Sequence, residues 1–364
     1  MGFNSAIAAV FRLLSLHVTV QETGQKHMIR FGIAGFGLHA VRRLMPGFSL
    51  ANNCIVVALS RRDPDKAGEA AAQYNIPHVF GSTEELCRCP EVDAVLVTTP
   101  NACHREDVLT AVGLGKPVLC EKPMGMNAKE CQQMVESARK AGVLLGVAQI
   151  FRFEESTRRL RERIAVGEIG KPLFARAEFS FLTTGHGRTW INDRSIAGGG
   201  PIADVGVHCI DALRYILQDD VRRVTTVGRS DERSGDVEAA AILTLEFGQG
   251  TLATVLVSTR APYRTPLEFV GIDGALRADD GLTVDRPITL ELWRDRQVVA
   301  TETVSNQFAY AQQVDSFSAA VEGSQPFPVP GEQGWQNQII LDAAYRSILS
   351  GKSEEVTVLK SATA

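Results

Sequence analysis

A lysine, an aspartate and a histidine give this chain the means to move a proton. Lys122 directly follows an apolar, strand-like run in Val118-Leu119-Cys120-Glu121-Lys122-Pro123, and Asp204 and His208 stand four positions apart in Asp204-Val205-Gly206-Val207-His208. Taking a hydride from a carbinol carbon requires loss of the hydroxyl proton, and an imidazole, with an ordinary pKa of about 6.5, suits that exchange. His208 is therefore the expected general base, or general acid in the reductive direction. Lys122 can donate to the substrate oxygen and lower the cost of negative charge developing there. Gly198-Gly199-Gly200-Pro201 reads as a loop entering a helix. On a helix, positions i and i+4 share a face, so Asp204 and His208 can point into one cleft. Asp204 is expected to bind a substrate hydroxyl, and Asp211, at i+3 from His208, to orient the imidazole. The plainer alternative is a helix cap at Asp204 and a buried, hydrogen-bonded His208.

The hydride needs a carrier, and Gly35-Phe36-Gly37-Leu38-His39-Ala40 supplies a place for one. Its Gly-x-Gly-x-x-Ala core follows a strand and opens a helix, where glycines let the backbone approach a pyrophosphate and the helix start offers unpaired amides. A dinucleotide is expected there. The second strand ends in Leu59-Ser60-Arg61-Arg62, with no carboxylate at its tip to accept from a ribose 2'-hydroxyl. A serine hydroxyl and guanidinium groups suit a 2'-phosphate, so NADP is favoured and NAD is the alternative. Thr99-Pro100-Asn101-Ala102-Cys103-His104 follows another strand end and should border the cofactor, as should Glu121; His104 is read as cofactor-proximal, not as the base.

Elements that could position these groups are legible as buried strands alternating with helices. Near-continuous apolar runs at 29–34, 55–59, 94–97, 118–120 and 143–147 suit a parallel sheet covered on both faces. Helical patterns fill 64–74, 105–114 and 128–141, the last with Asn127 as cap. Residues 28–150 thus form a doubly wound α/β unit that binds the dinucleotide. From 151 to 364 a helix over 155–166 precedes looser strands at 173–182, 239–247, 251–258, 267–271, 288–293 and 298–304. They imply an α+β domain with a large, mostly antiparallel open sheet, one face of which stays free; analogy of fold rather than the residues makes that face the expected subunit contact and 151–364 the substrate and oligomerisation domain.

Composition excludes other classes. The chain has 364 residues, 45% hydrophobic and 22% charged, with net charge -4. Scattered basic residues give no footprint for nucleic acid or an anionic membrane. Seven cysteines without CxxC or zinc-like spacing point to reduced thiols, a cytoplasmic setting and no metal site. Cys87-Arg88-Cys89 reads as part of a surface helix. Residues 1–27 stand as an N-terminal extension, expected to be disordered or to reflect a start codon upstream of Met28; their apolar run is too short to span a bilayer.

Gly35-x-Gly37, Thr99-Pro100-Asn101-x-x-His104, Glu121-Lys122-Pro123 and Gly198-Gly199-Gly200-x-x-x-Asp204-x-Gly206-x-His208 resemble the glucose-fructose oxidoreductase, inositol dehydrogenase and rhizopine-catabolism family, Gfo/Idh/MocA. The resemblance implies a Rossmann domain, a second α/β domain whose sheet mediates homodimers or homotetramers, and oxidation or reduction of a secondary alcohol or hemiacetal of a sugar, polyol or cyclitol. It maps the family's functional lysine, aspartate and histidine onto Lys122, Asp204 and His208, and implies a cis bond before Pro123. Two other outcomes exist among similar proteins: a glycoside hydrolase that oxidises its substrate transiently with a held nicotinamide, and a regulator that senses the cofactor without catalysis. Substrate contacts are less legible. Arg152, Trp190 and Asp193 are the first candidates; Thr183, His186, Arg194, Tyr310 and Gln313 are weaker ones. Where similar chains often read Trp-Arg-x-Asp, this one has Trp190-Ile191-Asn192-Asp193, so a usual arginine contact is missing.

Overall fold

The computed structural model describes residues 28–183 and 189–359; the expected extension at 1–27 and the candidate His186 lie outside the described residues. Six strands form a parallel sheet: β1 (Ile29–Ala34), β2 (Cys54–Ser60), β3 (His78–Phe80), β4 (Ala94–Val97), β5 (Val118–Cys120) and β6 (Leu145–Val147), in the order β3-β2-β1-β4-β5-β6. The strand order reverses between β1 and β4, so the crevice at that point lies beyond the carboxyl ends of the strands. Those ends carry Gly35, Arg61, Thr98, Glu121 and Ala148 to one edge.

The connecting helices are α1 (Met45–Ser49), α2 (Pro64–Tyr74), α3 (Thr83–Arg88), α4 (Asn101–Gly113) and α5 (Ala128–Ala141). Local chemistry sets their limits. Asp63 accepts from the Lys66 amide at the start of α2, and Asn127 accepts from the Glu130 amide at the start of α5, which ends at Gly142 with φ +65°. Helix α4 begins four residues before the expected Arg105, because Pro100 carries the extended backbone that precedes it and Asn101 already lies in its first turn. Cys87 and Cys89 face the interior, so α3 is not the bland surface helix expected.

Beyond residue 150 come α6 (Glu155–Ala165), β7 (Pro172–Leu182), α7 (Arg194–Ala197), α8 (Val207–Leu217), β8 (Val221–Arg229), β9 (Ala240–Phe247), β10 (Leu252–Ser258), β11 (Arg260–Arg264), β12 (Leu267–Gly271), β13 (Ala275–Ala278), β14 (Pro287–Arg294), β15 (Gln297–Ser305), α9 (Ala309–Val321), α10 (Gly331–Ser350) and β16 (Glu354–Glu355). The second sheet runs β15-β14-β13-β12-β7-β10-β9-β8-β16, with β11 beside β7, and is antiparallel except where β10 meets β7. The result is α/β: a Rossmann-type parallel sheet joined to a large, mostly antiparallel one.

The central strand β7 turns Ala175 and Ala177 inward, and the same alternation aims Phe179 and Phe181 at the cleft between the two sheets. Helices α9 and α10 return to the first unit. Phe317 on α9 lies 6.1 Å from Phe31 on β1, Asp315 caps the backbone amides of Asn52 and Asn53, and Val147 donates to the Val329 carbonyl.

Candidate active site

Around the Gly35 turn the backbone is shaped for a dinucleotide. Gly35 has φ +82°, and a Cβ there would stand 2.7 Å from the Thr99 amide nitrogen. A Cβ at Gly37 would meet nothing nearer than 3.7 Å, so open space lies over that residue. The Gly35 and Phe36 amides donate to the Ser60 carbonyl, tying the turn to the tip of β2. Phe36 buries its ring against Tyr74, so it can offer a ligand only backbone, whereas Leu38 is exposed in the cleft. Arg61 and Arg62 follow Ser60. The Arg61 charge helps hold Asp63 below the usual carboxylate range, after that group's bonds to Lys66, and the Arg62 charge reaches Cys103. Both guanidinium groups thus follow the tip of β2, at the carboxyl edge of the parallel sheet. These residues fit a dinucleotide.

His104 is fully buried: Nδ1 lies 2.9 Å from the Pro123 carbonyl and Nε2 2.8 Å from that of Thr99. Burial lowers its pKa while the two carbonyls oppose the shift. It clamps the β4 and β5 loops together. Asn101 donates to the Ala197 carbonyl and so ties the first unit to α7. The Lys122–Pro123 bond is cis.

Lys122, Asp204 and His208 meet on one cavity of about 600 Å³, whose wall also includes Leu38, His39, Glu121, Phe151, Phe179, Tyr263 and Tyr310. The Lys122 ammonium donates to the Asp204 carbonyl at 2.8 Å and lies 3.3 Å from its carboxylate. Asp204 sits not in an α-helix but in a five-residue π-helical turn, Ile202–Gly206, closed by the Val207 amide on the Ile202 carbonyl; α8 begins behind it. Such turns concentrate at functional sites. His208 packs edge-on to Phe151 at 4.7 Å and stacks on Phe179 at 6.1 Å. Burial first, then the Lys122 charge, drives its pKa well below the ordinary 6.5. Its Nδ1 is buried without a partner among the described residues, which leaves Nε2 for the cavity.

Asp211 does not orient that imidazole. It is held by Arg152 at 2.7 and 2.8 Å and by the Asn337 amide, in a buried network that also takes in Gln333 and Arg214. The same pairing keeps Arg152 out of the cavity wall, because the buried Asp211 carboxylate demands its guanidinium. Asp193 caps α7 through the Ser195 amide, and neither it nor Trp190 lines the cavity. Thr183 accepts from Arg260, Arg194 lies over the Tyr345 ring, and Gln313 is buried; of the weaker candidates described, Tyr310 alone reaches the cavity.

Sequence reasoning passed over His39. Its Nε2 lies 2.9 Å from the Glu121 carboxylate, whose other oxygen accepts from the Lys122 amide. Burial pushes Glu121 up, but His39 and Lys122 outweigh it and hold the carboxyl below its ordinary value. The signal was its place inside the glycine turn. Phe179 and Phe181 were hidden by reading β7 only as a strand. Among the described residues no group of three or more His, Cys, Asp or Glu is arranged to hold a metal, and no helix is long and apolar enough to cross a membrane.

Two family models match. The oxidoreductase family with an NAD-binding Rossmann fold covers residues 29–149, and the GFO/IDH/MocA C-terminal domain covers 157–277. A 1,5-anhydro-D-fructose reductase of Ensifer adhaerens is 30% identical over 331 residues, 90% of this chain and 99% of its own. An NADP-dependent D-xylose 1-dehydrogenase of Haloferax volcanii is 31% identical over 90% of this chain and 99% of its own. The crystal structure of an aldose-aldose oxidoreductase from Caulobacter crescentus shares the fold, with TM-score 0.83 and 24% identity over 91% of this chain and 100% of its own.

Proposed function

The chain belongs to the GFO/IDH/MocA family of oxidoreductases, and on that premise we propose that it moves a hydride between NADP and a secondary alcohol or hemiacetal carbon of a sugar, polyol or cyclitol. Its coarser character, an NAD-binding oxidoreductase of the sugar dehydrogenase and reductase type, follows from the family match and its relatives. The observation that carries the finer reading is the convergence of Lys122, Asp204 and His208 on one cavity at the carboxyl edge of the parallel sheet.

A bound nicotinamide supplies the hydride acceptor or donor. The chain does the rest. Gly37 and Leu38 would present backbone to the pyrophosphate, with Gly35 shaping the turn and Thr99, Pro100 and Asn101 bordering it; Ser60, Arg61 and Arg62 would receive the 2'-phosphate. Lys122, fixed by the Asp204 carbonyl, donates to the substrate oxygen as negative charge grows there. His208, kept neutral by burial, takes the hydroxyl proton on Nε2 in oxidation and returns it in reduction. Asp204 binds a neighbouring hydroxyl. Phe151 and Phe179 exclude water and give a ring a flat surface.

NADP over NAD rests on Arg61 and Arg62 and on the absence of a carboxylate at the β2 tip. The exposed face of the second sheet, with Phe174, Val227 and Ile242, is read as the surface that joins subunits into a dimer or tetramer. The reaction is tested by titrating the protein with NADPH and NADH, following nicotinamide fluorescence, and then by assaying D-xylose with NADP and 1,5-anhydro-D-fructose with NADPH. Selective NADPH binding and turnover of either compound support the reading. NADPH binding without turnover of any sugar or polyol favours the regulator, and sugar cleavage without net cofactor reduction favours the hydrolase.

A further inference from the structure

Glu238 stands just before β9 and is 5% exposed. One carboxyl oxygen accepts from the Gly200 amide at 3.1 Å, and the other from the Ile202 amide at 2.9 Å. The Tyr345 hydroxyl of α10 donates to the second oxygen at 3.1 Å. Both amides belong to the entry of the π-helical turn that carries Asp204, where main-chain donors lack partners within the turn. The contact is tight on all sides. A Cβ at Gly199 would stand 1.7 Å from the Tyr345 hydroxyl, and one at Gly200 would stand 2.1 Å from the Glu238 carbonyl.

The geometry points to Glu238, braced by Tyr345, as the positioning residue that sets the reactive groups of the second domain, an assignment that rests on reading Asp204 and His208 as the site. Gly200 passes the constraint on. Its carbonyl accepts from the Asp204 amide at 3.0 Å, and the Asp204 carbonyl in turn receives the Lys122 ammonium. A shift at Gly200 therefore moves Asp204, the lysine fastened to it, and the start of α8 with His208. Two bonds to one carboxyl fix the turn in translation and in rotation, which a single bond cannot do. Residues that act in concert lose much of their effect when displaced by about 1 Å.

The variants Glu238→Gln, Glu238→Asp and Tyr345→Phe test this. Glu238→Gln keeps size but turns an amide NH2 toward one of the two backbone donors. Amide hydrogen exchange in the segment 198–206 should accelerate about tenfold, while β1 exchanges as before. Turnover of the compound that the screen above identifies should fall at least about tenfold in kcat, with KM and Kd for NADPH unchanged. Glu238→Asp, with both acceptors retained, should restore part of the loss, and Tyr345→Phe should be milder. Unaltered exchange in 198–206 overturns the assignment, and so does a loss of kcat matched by an equal loss of NADPH binding, which marks general unfolding. Should the wild type turn over nothing in the screen, the proposed reaction fails and the exchange rates alone decide whether Glu238 holds the turn.

Discussion

Lys122 is closer to the main chain of Asp204 than to its side chain: the ammonium lies 2.8 Å from the carbonyl oxygen and 3.3 Å from the carboxylate. A backbone acceptor survives substitution, so Asp204→Asn should leave the lysine in place and cost about tenfold in kcat, whereas Lys122→Ala should cost about a hundredfold or more. Steady-state kinetics of the two variants side by side check this ordering.

His208→Asn should lower turnover by about 10²- to 10⁴-fold while NADPH fluorescence titration stays unchanged. Because burial and Lys122 hold the imidazole well below 6.5, its base form persists into acid. The acid limb of kcat/KM for oxidation should therefore lie below pH 6.5, and a limb at or above that value would remove His208 from the role.

Arg61→Ala should weaken NADPH binding by at least about tenfold, the scale of one charge-assisted hydrogen bond, and leave NADH nearly untouched. Equal weakening of both would show that the guanidinium serves the shared part of the dinucleotide.

Glu154 is fully buried, its Oε1 has no partner among the described residues, and burial raises its pKa well above the ordinary 4.5. The folded state thus holds a proton that the unfolded chain releases near 4.5, so stability falls as pH rises from there through the folded pKa. Glu154→Gln should raise Tm at pH 8 and flatten that decline; thermal melts of both proteins from pH 5 to pH 8 give the comparison.

Asp211→Ala leaves the Arg152 guanidinium buried without its main partner. Its effect should be on stability, about 3–5 kcal/mol, with no displacement of the pH profile. Denaturant titration against the profile of any surviving activity separates this from the expectation that Asp211 steers His208.

Much of the first unit could be read from the chain because buried parallel strands are continuous apolar runs, and because Gly35 and Asn127 mark a turn and a cap position by type. The Lys122, Asp204 and His208 convergence was legible for a related reason: each sits at a strand end or glycine-rich entry. Helix α10 escaped since Gln336, Asn337 and Gln338 are buried polar residues that break its apolar period. Strand β3, His78-Val79-Phe80, lies at the edge of the sheet and is not fully buried, so it lacks the continuous apolar run that marks the other strands. Arg152 and Asp211 misled because nothing in the sequence says which of two nearby charges a buried carboxylate will choose.

The return of α9 and α10 to the parallel sheet bears on biosynthesis. Phe31, near the start of the first strand, waits for Phe317, and the β6 edge waits for Val329. A ribosome making this chain from its amino end releases the glycine turn early, but cannot seal the sheet beneath it until nearly the whole polypeptide has emerged. Nascent chains stalled before residue 309 should therefore expose that apolar face to chaperones, and the nucleotide-binding half should not be obtainable as an independent fragment ending near residue 150.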